Sequence, residues 1–206
     1  MTKNESCKSW SVVPFLFGAA AMLMPGEGAA QSQGKFVVEK IAEQSLAALP
    51  DGDLYWTAET FPTLEEAESA AGETNLAVAV DGTAWLLTLG PEDDKGHGGK
   101  VVASIGPIER FDAPEYMLRI NTSHAPPGSE TSTHSHPGSE AMYVLSGEVT
   151  VRWPGRSDVL EKGGSQAGQP PHTPMVATST GEEDLVELIM FVVDANEPFA
   201  SPATLN

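Results

Sequence analysis

From residue 76 onwards, the chain is a series of short apolar segments separated by turn residues. The first two segments, 76–80 and 84–89, are joined by Asp81-Gly82, a sequence typical of a tight β-hairpin. Many short strands with frequent turns predict an all-β sandwich or barrel. The further strand candidates are 101–105, 116–120, 142–145, 148–153 and 185–193.

The residues before these strands carry two helical patterns. Residues 36–49 place apolar side chains at a loosely helical spacing, and a Pro-Asp-Gly turn ends the segment. A clearer helix begins at Thr63, because Thr63 and Glu66 form a capping box and Gly72 ends the run. We expect these elements to pack against the strands that follow.

The first thirty residues have the order of a signal peptide. Basic residues precede an uncharged, largely apolar run at 11–24, and small residues at 28–30 suit cleavage by a signal peptidase. A membrane anchor is the alternative. The run is shorter than the roughly 20 residues that span a bilayer, and Pro14 interrupts it. We therefore expect an exported protein, periplasmic or secreted, with no stable membrane anchor after cleavage.

The composition limits both the classes of partner that the chain can bind and the ligand atoms that it can offer a metal. The net charge is −18, from 29 acidic and 11 basic residues, and such a surface repels nucleic acids and anionic lipids. The single cysteine, Cys7, lies inside the predicted signal peptide. The mature chain therefore has no disulfide and no thiolate, so that any metal site must use nitrogen and oxygen ligands.

One segment concentrates residues that bind metals. His134 and His136 are two positions apart, so that on an extended chain both side chains point to the same side. Residues 137–139 form a turn, and Glu140 opens the next apolar run. His172 follows a second candidate strand and could approach from a neighbouring strand. Three histidines and one carboxylate suit zinc, manganese, iron, nickel or copper.

This segment resembles the first motif of the cupin superfamily, G-x5-H-x-H-x3-E-x6-G. Gly128, His134, His136, Glu140 and Gly147 fill each defining position. The resemblance implies a jelly-roll β-barrel, also called a double-stranded β-helix, with one divalent metal near its centre. It also implies that the two histidines and the glutamate bind that metal.

The second cupin motif is less complete. His172 takes the place of its metal-binding histidine, but Val176 stands where the family has asparagine. His172 could instead be a solvated residue of a Pro-Pro-His-Thr-Pro loop. The residue patterns and the resemblance together predict four parts: a signal peptide at 1–30, a helix-containing extension at 31–98, a cupin barrel at 99–195 and a tail at 196–206.

Several further residues bear on a pocket inside such a barrel. Met142 is expected to line it, since alternate residues of its strand face inward. Arg119 is expected on an outward face, although an inward Arg119 would bind an anionic substrate. His97 is expected in a flexible, exposed loop, and His124 near the barrel mouth or on the surface. The tryptophans 56, 85 and 153 are expected to be packing residues.

The resemblance favours a metal-dependent, dioxygenase-like enzyme acting on a small organic molecule. Glu140 is the expected catalytic residue, because a carboxylate can leave the metal and move a proton. A cupin isomerase or lyase, a non-catalytic binder of a small ligand or metal, and a purely structural barrel remain alternatives. A homodimer is also possible, since exposed sheet edges often pair.

Overall fold

A computed structural model describes residues 34–92 and 96–205, which form fourteen strands and one helix. The predicted signal peptide, 1–30, lies outside these residues. No helix among the described residues is long and apolar enough to cross a membrane. In chain order the elements are β1 (Val37–Leu46), β2 (Leu54–Phe61), α1 (Leu64–Ala70), β3 (Asn75–Val80), β4 (Thr83–Gly90), β5 (Lys100–Ile108), β6 (Tyr116–Ala125), β7 (His134–Ser135), β8 (Gly138–Ser146), β9 (Glu148–Trp153), β10 (Arg156–Glu161), β11 (Ser165–Gln166), β12 (Val176–Ser179), β13 (Leu185–Asp194) and β14 (Ser201–Pro202).

A five-stranded antiparallel sheet forms the middle layer, with strand order β1-β6-β13-β8-β11. Strand β13 lies at its centre, and every residue of it except the last is buried. Such a strand has no solvent face, because both sides of the sheet are covered. This explains why its sequence is a nearly continuous apolar run instead of an alternating one.

A second sheet, with strand order β3-β4-β2-β5, covers one face of the middle layer. The core between them joins Trp56 and Leu87 of the second sheet to Leu118, Leu188 and Met190 of the middle layer. Helix α1 packs on the second sheet and contributes the buried Ala67.

The opposite face of the middle layer meets the sheet β10-β9-β12 and the short pair β14-β7. The core on this side contains Met142, Val144, Val149 and Val151, so that the alternating residues of β8 and β9 point inward, as predicted for Met142. This arrangement is an all-β jelly roll with a helix-containing N-terminal extension. Among the described residues, the sheets are not hydrogen-bonded into one closed barrel.

The local signals for the hairpin and the helix are confirmed. Asp81 and Gly82 both have positive φ angles, 49° and 73°, as a tight hairpin turn between twisted strands requires. Helix α1 begins after Thr63, whose Oγ1 accepts a hydrogen bond from the Glu66 backbone N–H at 3.2 Å. The buried tryptophans are packing residues, as expected.

The helical interpretation of residues 36–49 is wrong, because they contain strand β1, which pairs with β6. The pairing register shifts between Lys40 and Ala42, so that Ile41 forms a bulge. A bulge inserts one residue and breaks the two-residue repeat of a strand, which produces a spacing that imitates a helix.

Strand pairing also crosses the division expected near residue 99. Strand β1 belongs to the middle layer, whereas β5 pairs with β2 in the second sheet. The division into an extension and a barrel stays a prediction. Strand β2 was not expected, and it is the inner strand that joins β4 to β5.

His97 is less exposed than its glycine-rich loop suggests. Its side chain is 20% exposed, and Nδ1 lies 3.1 Å from Oε2 of Glu59, a fully buried carboxylate on β2. A buried carboxylate requires a polar partner, and His97 supplies one. The loop is therefore attached to the second sheet at this point.

Candidate metal centre

His134 begins the short paired strand β7, and His136 directly follows that strand. The backbone N–H of His134 donates to the carbonyl of Met175 at 3.0 Å, and the N–H of Met175 donates back at 2.7 Å. On its other side, β7 pairs with β14, which holds His134 and Ser135 in an extended conformation. The extended backbone places the His134 and His136 rings 4.9 Å apart.

Glu140 completes a group with this pair. It lies on β8, opposite Phe191 of β13, on the inward face of the middle layer. One ligand atom from each of His134, His136 and Glu140 lies within 4.8 Å of the others, and Nε2 of His136 is 3.6 Å from Oε2 of Glu140. Transition metals bind such nitrogens and oxygens at about 2.0–2.2 Å, so that small side-chain adjustments bring all three onto one ion.

The polar atoms of the group fit a cation. Oε2 of Glu140 is buried and has no hydrogen-bond partner among the described residues. Burial, with a smaller contribution from the charge of Glu187, raises the pKa of Glu140 to about 8. Burial lowers the pKa of His136 to about 4, so that its imidazole is neutral, the form that binds a metal. A bound cation would satisfy the buried carboxylate oxygen.

Two backbone carbonyls orient the imidazoles. Nδ1 of His136 lies 2.6 Å from the carbonyl oxygen of Phe199, and Nδ1 of His134 lies 2.8 Å from that of Ser132. A carbonyl only accepts hydrogen bonds, so each Nδ1 carries the proton and each Nε2 keeps a free lone pair. Metal-binding histidines are commonly held in this way.

The structure does not bring His172 to this group. Its side chain is 60% exposed, and Nε2 lies 3.8 Å from a carboxylate oxygen of Glu197. His172 follows Pro170-Pro171 and has a φ of 62°, a left-handed conformation that is uncommon outside glycine. Its backbone N–H donates to the carbonyl of His136, but the buried residue paired with His134 is Met175. His124 is exposed on β6 and lies outside the group, as expected.

A cavity of about 270 Å³ extends from the group into the space between the sheets. Met142 lines it, as predicted. Of its other lining residues, eight are apolar and seven are charged or polar. The full lining is Phe36, Val38, Arg119, Asn121, Thr131, His134, His136, Glu140, Met142, Met175, Ala177, Glu187, Ile189, Phe191, Phe199 and Ala200.

The expectation that Arg119 points outward is wrong, because its side chain lines this cavity. Strand β6 is covered on both faces, so that a charged residue on it has no fully solvated side to face. Nε of Arg119 donates to Oδ1 of Asn121 at 2.9 Å, and the guanidinium carbon lies 3.7 Å from the centre of the Phe199 ring. Burial lowers the pKa of Arg119, and the charge of Glu43 opposes this effect.

A second buried carboxylate, Glu187, also lines the cavity. The Ser123 hydroxyl donates to Oε2 of Glu187 at 2.6 Å, while Oε1 has no partner among the described residues. Burial raises the pKa of Glu187 to about 7, despite the opposing effect of the Ser123 hydrogen bond. Sequence reasoning missed this residue. The signal that could have revealed it is a single acid within the apolar run 185–193.

The comparisons with known proteins agree with the motif. Residues 121–192 match a protein-family model described as a cupin domain, and this match supports the resemblance to the cupin superfamily that the first motif indicates. This segment extends from β6 to β13 and includes the whole candidate metal group. No curated protein matches the chain.

Several solved structures are similar over part of the chain. A DMSP lyase chain is 19% identical over 42% of this chain and 44% of its own length, with a TM-score of 0.38. An uncharacterised protein with a double-stranded β-helix domain from Klebsiella pneumoniae is 27% identical over 42% of this chain and 75% of its own, with a TM-score of 0.37. A cupin-like protein from Thermotoga maritima is 22% identical over 43% and 65%, with a TM-score of 0.38. The chain thus spans less than half the length of the lyase chain it matches.

Proposed function

We propose that this protein is an exported, metal-dependent enzyme that acts on a small organic molecule. One divalent transition metal would be held by His134, His136 and Glu140. The observation that carries the proposal is the convergence of these three ligand atoms at the wall of a cavity. A metal site beside a largely apolar cavity with a few polar groups is the usual form of a small-molecule site.

The ligand set suits catalysis because it is incomplete. Three protein ligands leave coordination positions free, whereas structural metal sites are usually closed by four. When bound, the ion would supply Lewis-acid or redox chemistry, and a dioxygenase-like oxidoreductase is the form we propose. Phe191 and Phe199 pack against His136, with ring centres 4.9 and 4.7 Å away, and keep water from that side.

The buried acids give the site groups that can hold a proton near neutral pH. We propose that Glu140 acts both as a ligand and as a proton carrier, because its raised pKa favours proton uptake when it leaves the metal. The variant Glu140→Gln tests this role when its metal content is preserved. Full turnover in a metal-loaded Glu140→Gln protein would exclude the proton transfer.

Elemental analysis of the purified protein tests the metal centre. We expect about one transition metal per chain in the wild type and little in His134→Ala, His136→Ala or Glu140→Ala. His172→Ala and the exposed His124→Ala are matched controls that should keep the metal. Equal metal content in all these variants would contradict the assignment.

A screen for turnover separates an enzyme from a binding protein. Oxygen consumption by the metal-loaded protein would be measured with phenols, flavonols and diketones, with His136→Ala as the blank. Stoichiometric metal without turnover on any class would instead support a non-catalytic, ligand-binding cupin.

Export is part of the proposal and is supported by the order of residues in 1–30. Expression of the full chain in a bacterial host, followed by cell fractionation and mass measurement, tests it. We expect a mature form that begins close to residue 31 in the periplasm or the medium. A full-length protein confined to the cytoplasm would contradict export.

A further inference from the structure

Arg119 lies on the same cross-strand row as the metal-binding carboxylate. Strand pairing places Arg119 opposite Phe191, and Phe191 opposite Glu140. Directly paired residues share one face of a sheet, so all three side chains project into the cavity. Two strand spacings of about 4.8 Å separate the backbone of Arg119 from that of Glu140, a distance that a long arginine and a small ligand can bridge together.

The guanidinium is held in place without a direct ion pair. Its Nε donates to Asn121 and its plane rests on Phe199. Glu43, opposite Arg119 on β1, acts on it through its charge but forms its ion pair with Lys40 at 2.7 Å. No carboxylate of the described residues lies within ion-pairing distance of Arg119. Of the other three arginines, two pair with a carboxylate. Arg110 donates to backbone carbonyls, Arg152 pairs with a glutamate and Arg156 with an aspartate. The Nη groups of Arg119 therefore keep their donors available for a ligand.

The positive and negative charges of the cavity lie at different positions along the strands. A divalent ion bound by two neutral imidazoles and one carboxylate keeps one net positive charge, and the Arg119 charge adds to it. Glu187 lies on a different row, paired with Ser123 and Val144, about 13 Å along the sheet from the Glu140 row. An anionic group is thus favoured beside Arg119 and disfavoured at the Glu187 end.

We propose that the cavity binds a small organic carboxylate, with the carboxylate paired to Arg119 beside the metal and the apolar body over Phe191, Ile189 and Met142. The geometry of guanidinium and carboxylate allows two parallel hydrogen bonds. The cavity of about 270 Å³ holds about nine groups of the volume of a water molecule, which limits the ligand to a small acid. The inference rests on the proposed function only for the positive charge that the metal adds beside Arg119.

Three probes of similar shape test the charge preference in the unmodified protein. Benzoate, benzamide and benzylamine would be titrated into residues 31–206 by calorimetry, in both metal-free and metal-loaded protein. We expect benzoate to bind about tenfold or more tightly than either of the others. Equal binding of benzoate and benzamide would overturn the proposal without the need for any variant.

Variants of Arg119 test the assignment to that side chain. Arg119→Gln should weaken benzoate binding about 10- to 100-fold, and Arg119→Lys should fall between it and the wild type. Arg152→Gln, an exposed arginine outside the cavity, is the matched control and should bind like the wild type. Unchanged benzoate binding in Arg119→Gln would overturn the proposal.

Metal content separates the two proposals. Arg119 is not a ligand, so Arg119→Gln should retain the wild-type metal content. Loss of the benzoate preference in a fully metal-loaded wild type would contradict the carboxylate assignment alone. A wild type that binds benzoate but takes up no metal would contradict the metal-dependent function alone.

Discussion

Glu187 should make the stability of the fold depend on pH. Its pKa is raised from the ordinary 4.5 to about 7, so the folded chain holds this proton more tightly than the unfolded chain does. The contribution of Glu187 to the free energy of unfolding is therefore fully present below about pH 4.5 and is lost as the pH rises towards 7. Above about pH 7 no further loss occurs. The upper limit of the loss is about 3 kcal/mol.

The variant Glu187→Gln should remove this loss, because an amide has no charge to bury. In metal-free protein we expect the variant to be more stable than the wild type at pH 8, by up to about 3 kcal/mol, and similar at pH 4. Part of the gain would come from Glu140, whose pKa is raised by the Glu187 charge. Urea unfolding at several pH values measures the effect.

The control for this prediction is Glu68→Gln, on the exposed face of α1, which should leave the pH profile unchanged. If the free energy of unfolding of Glu187→Gln changed with pH in the same way as that of the wild type, Glu187 would not titrate between pH 4 and pH 8.

Site residues that lie close together in the sequence were predictable from it. His134, His136 and Glu140 lie within seven positions, and strand periodicity with one turn brings them together. Arg119 and Glu187 were not predictable in the same way, because their direction depends on which face of a doubly covered sheet encloses the cavity. His172 depended on the conformation of a proline-rich loop, which the motif does not define.

At the scale of elements, the C-terminal tail forms part of the candidate metal centre. Its Phe199 carbonyl accepts the hydrogen bond of His136 Nδ1, and β14 pairs with β7, which begins at His134. Removal of residues 197–206 should weaken metal binding about 10- to 100-fold, the usual effect of losing a partner that orients a ligand. Competition with a chromogenic chelator measures the dissociation constant.

A shorter deletion is the matched control for the tail. Removal of 204–206 leaves β14 and the hydrogen bond from Ala203 to Thr133 in place, and should preserve metal affinity. Equal affinity of both deletion variants would show that the tail carbonyl has no part in orienting His136.

The tightness of packing at the last glycine of the first cupin motif, Gly147, can be measured by comparison with Gly155. Gly147 and Gly155 both have a φ of 73°, but an added Cβ at Gly147 would lie 2.8 Å from the backbone of Asp184 and Leu185, whereas Gly155 faces open space. Gly155→Ala should cost about 1–2 kcal/mol for the left-handed backbone alone. Gly147→Ala should cost about 1–3 kcal/mol more, because the backbone must move.

Urea unfolding of the two variants gives this difference directly, since the conformational cost is common to both. Equal losses of stability would mean that the approach of β13 to the turn after β8 is not tight. The motif glycine would then be required only for its backbone angle.

Strands and helices with a regular hydrophobic period or a local turn or capping signal were predictable. Strands whose sequence pattern is altered by a bulge or by burial on both faces were not. Strand β9 was predicted at its observed bounds, because Val149 and Val151 alternate with more exposed residues. Strand β1 was mistaken for a helix because of the bulge at Ile41. Strand β2 lies between two partners and has buried side chains on both faces, so that its sequence does not alternate.

For the whole molecule, the family match and the folding unit differ in extent. The match begins at residue 121, yet the middle sheet presents an apolar face to the second sheet, which comes entirely from residues 54–108. The sequence predicted a barrel with an extension packed on it. It could not show that three strands of the extension join β5 of the predicted barrel to form one of the three layers, because that depends on long-range pairing.

We therefore expect that a fragment containing only residues 109–206 does not fold cooperatively. It would expose five side chains that are fully buried in the complete chain: Leu118, Ile120, Leu188, Met190 and Val192. Each contributes about 1.5–3 kcal/mol by burial, so that their sum is comparable to the total stability of a typical domain, about 5–15 kcal/mol. The fragment retains every proposed metal ligand and the whole family match. Urea unfolding followed by circular dichroism, with residues 34–206 as the control, tests the expectation, and a cooperative transition in a monomeric fragment that binds one metal would contradict it.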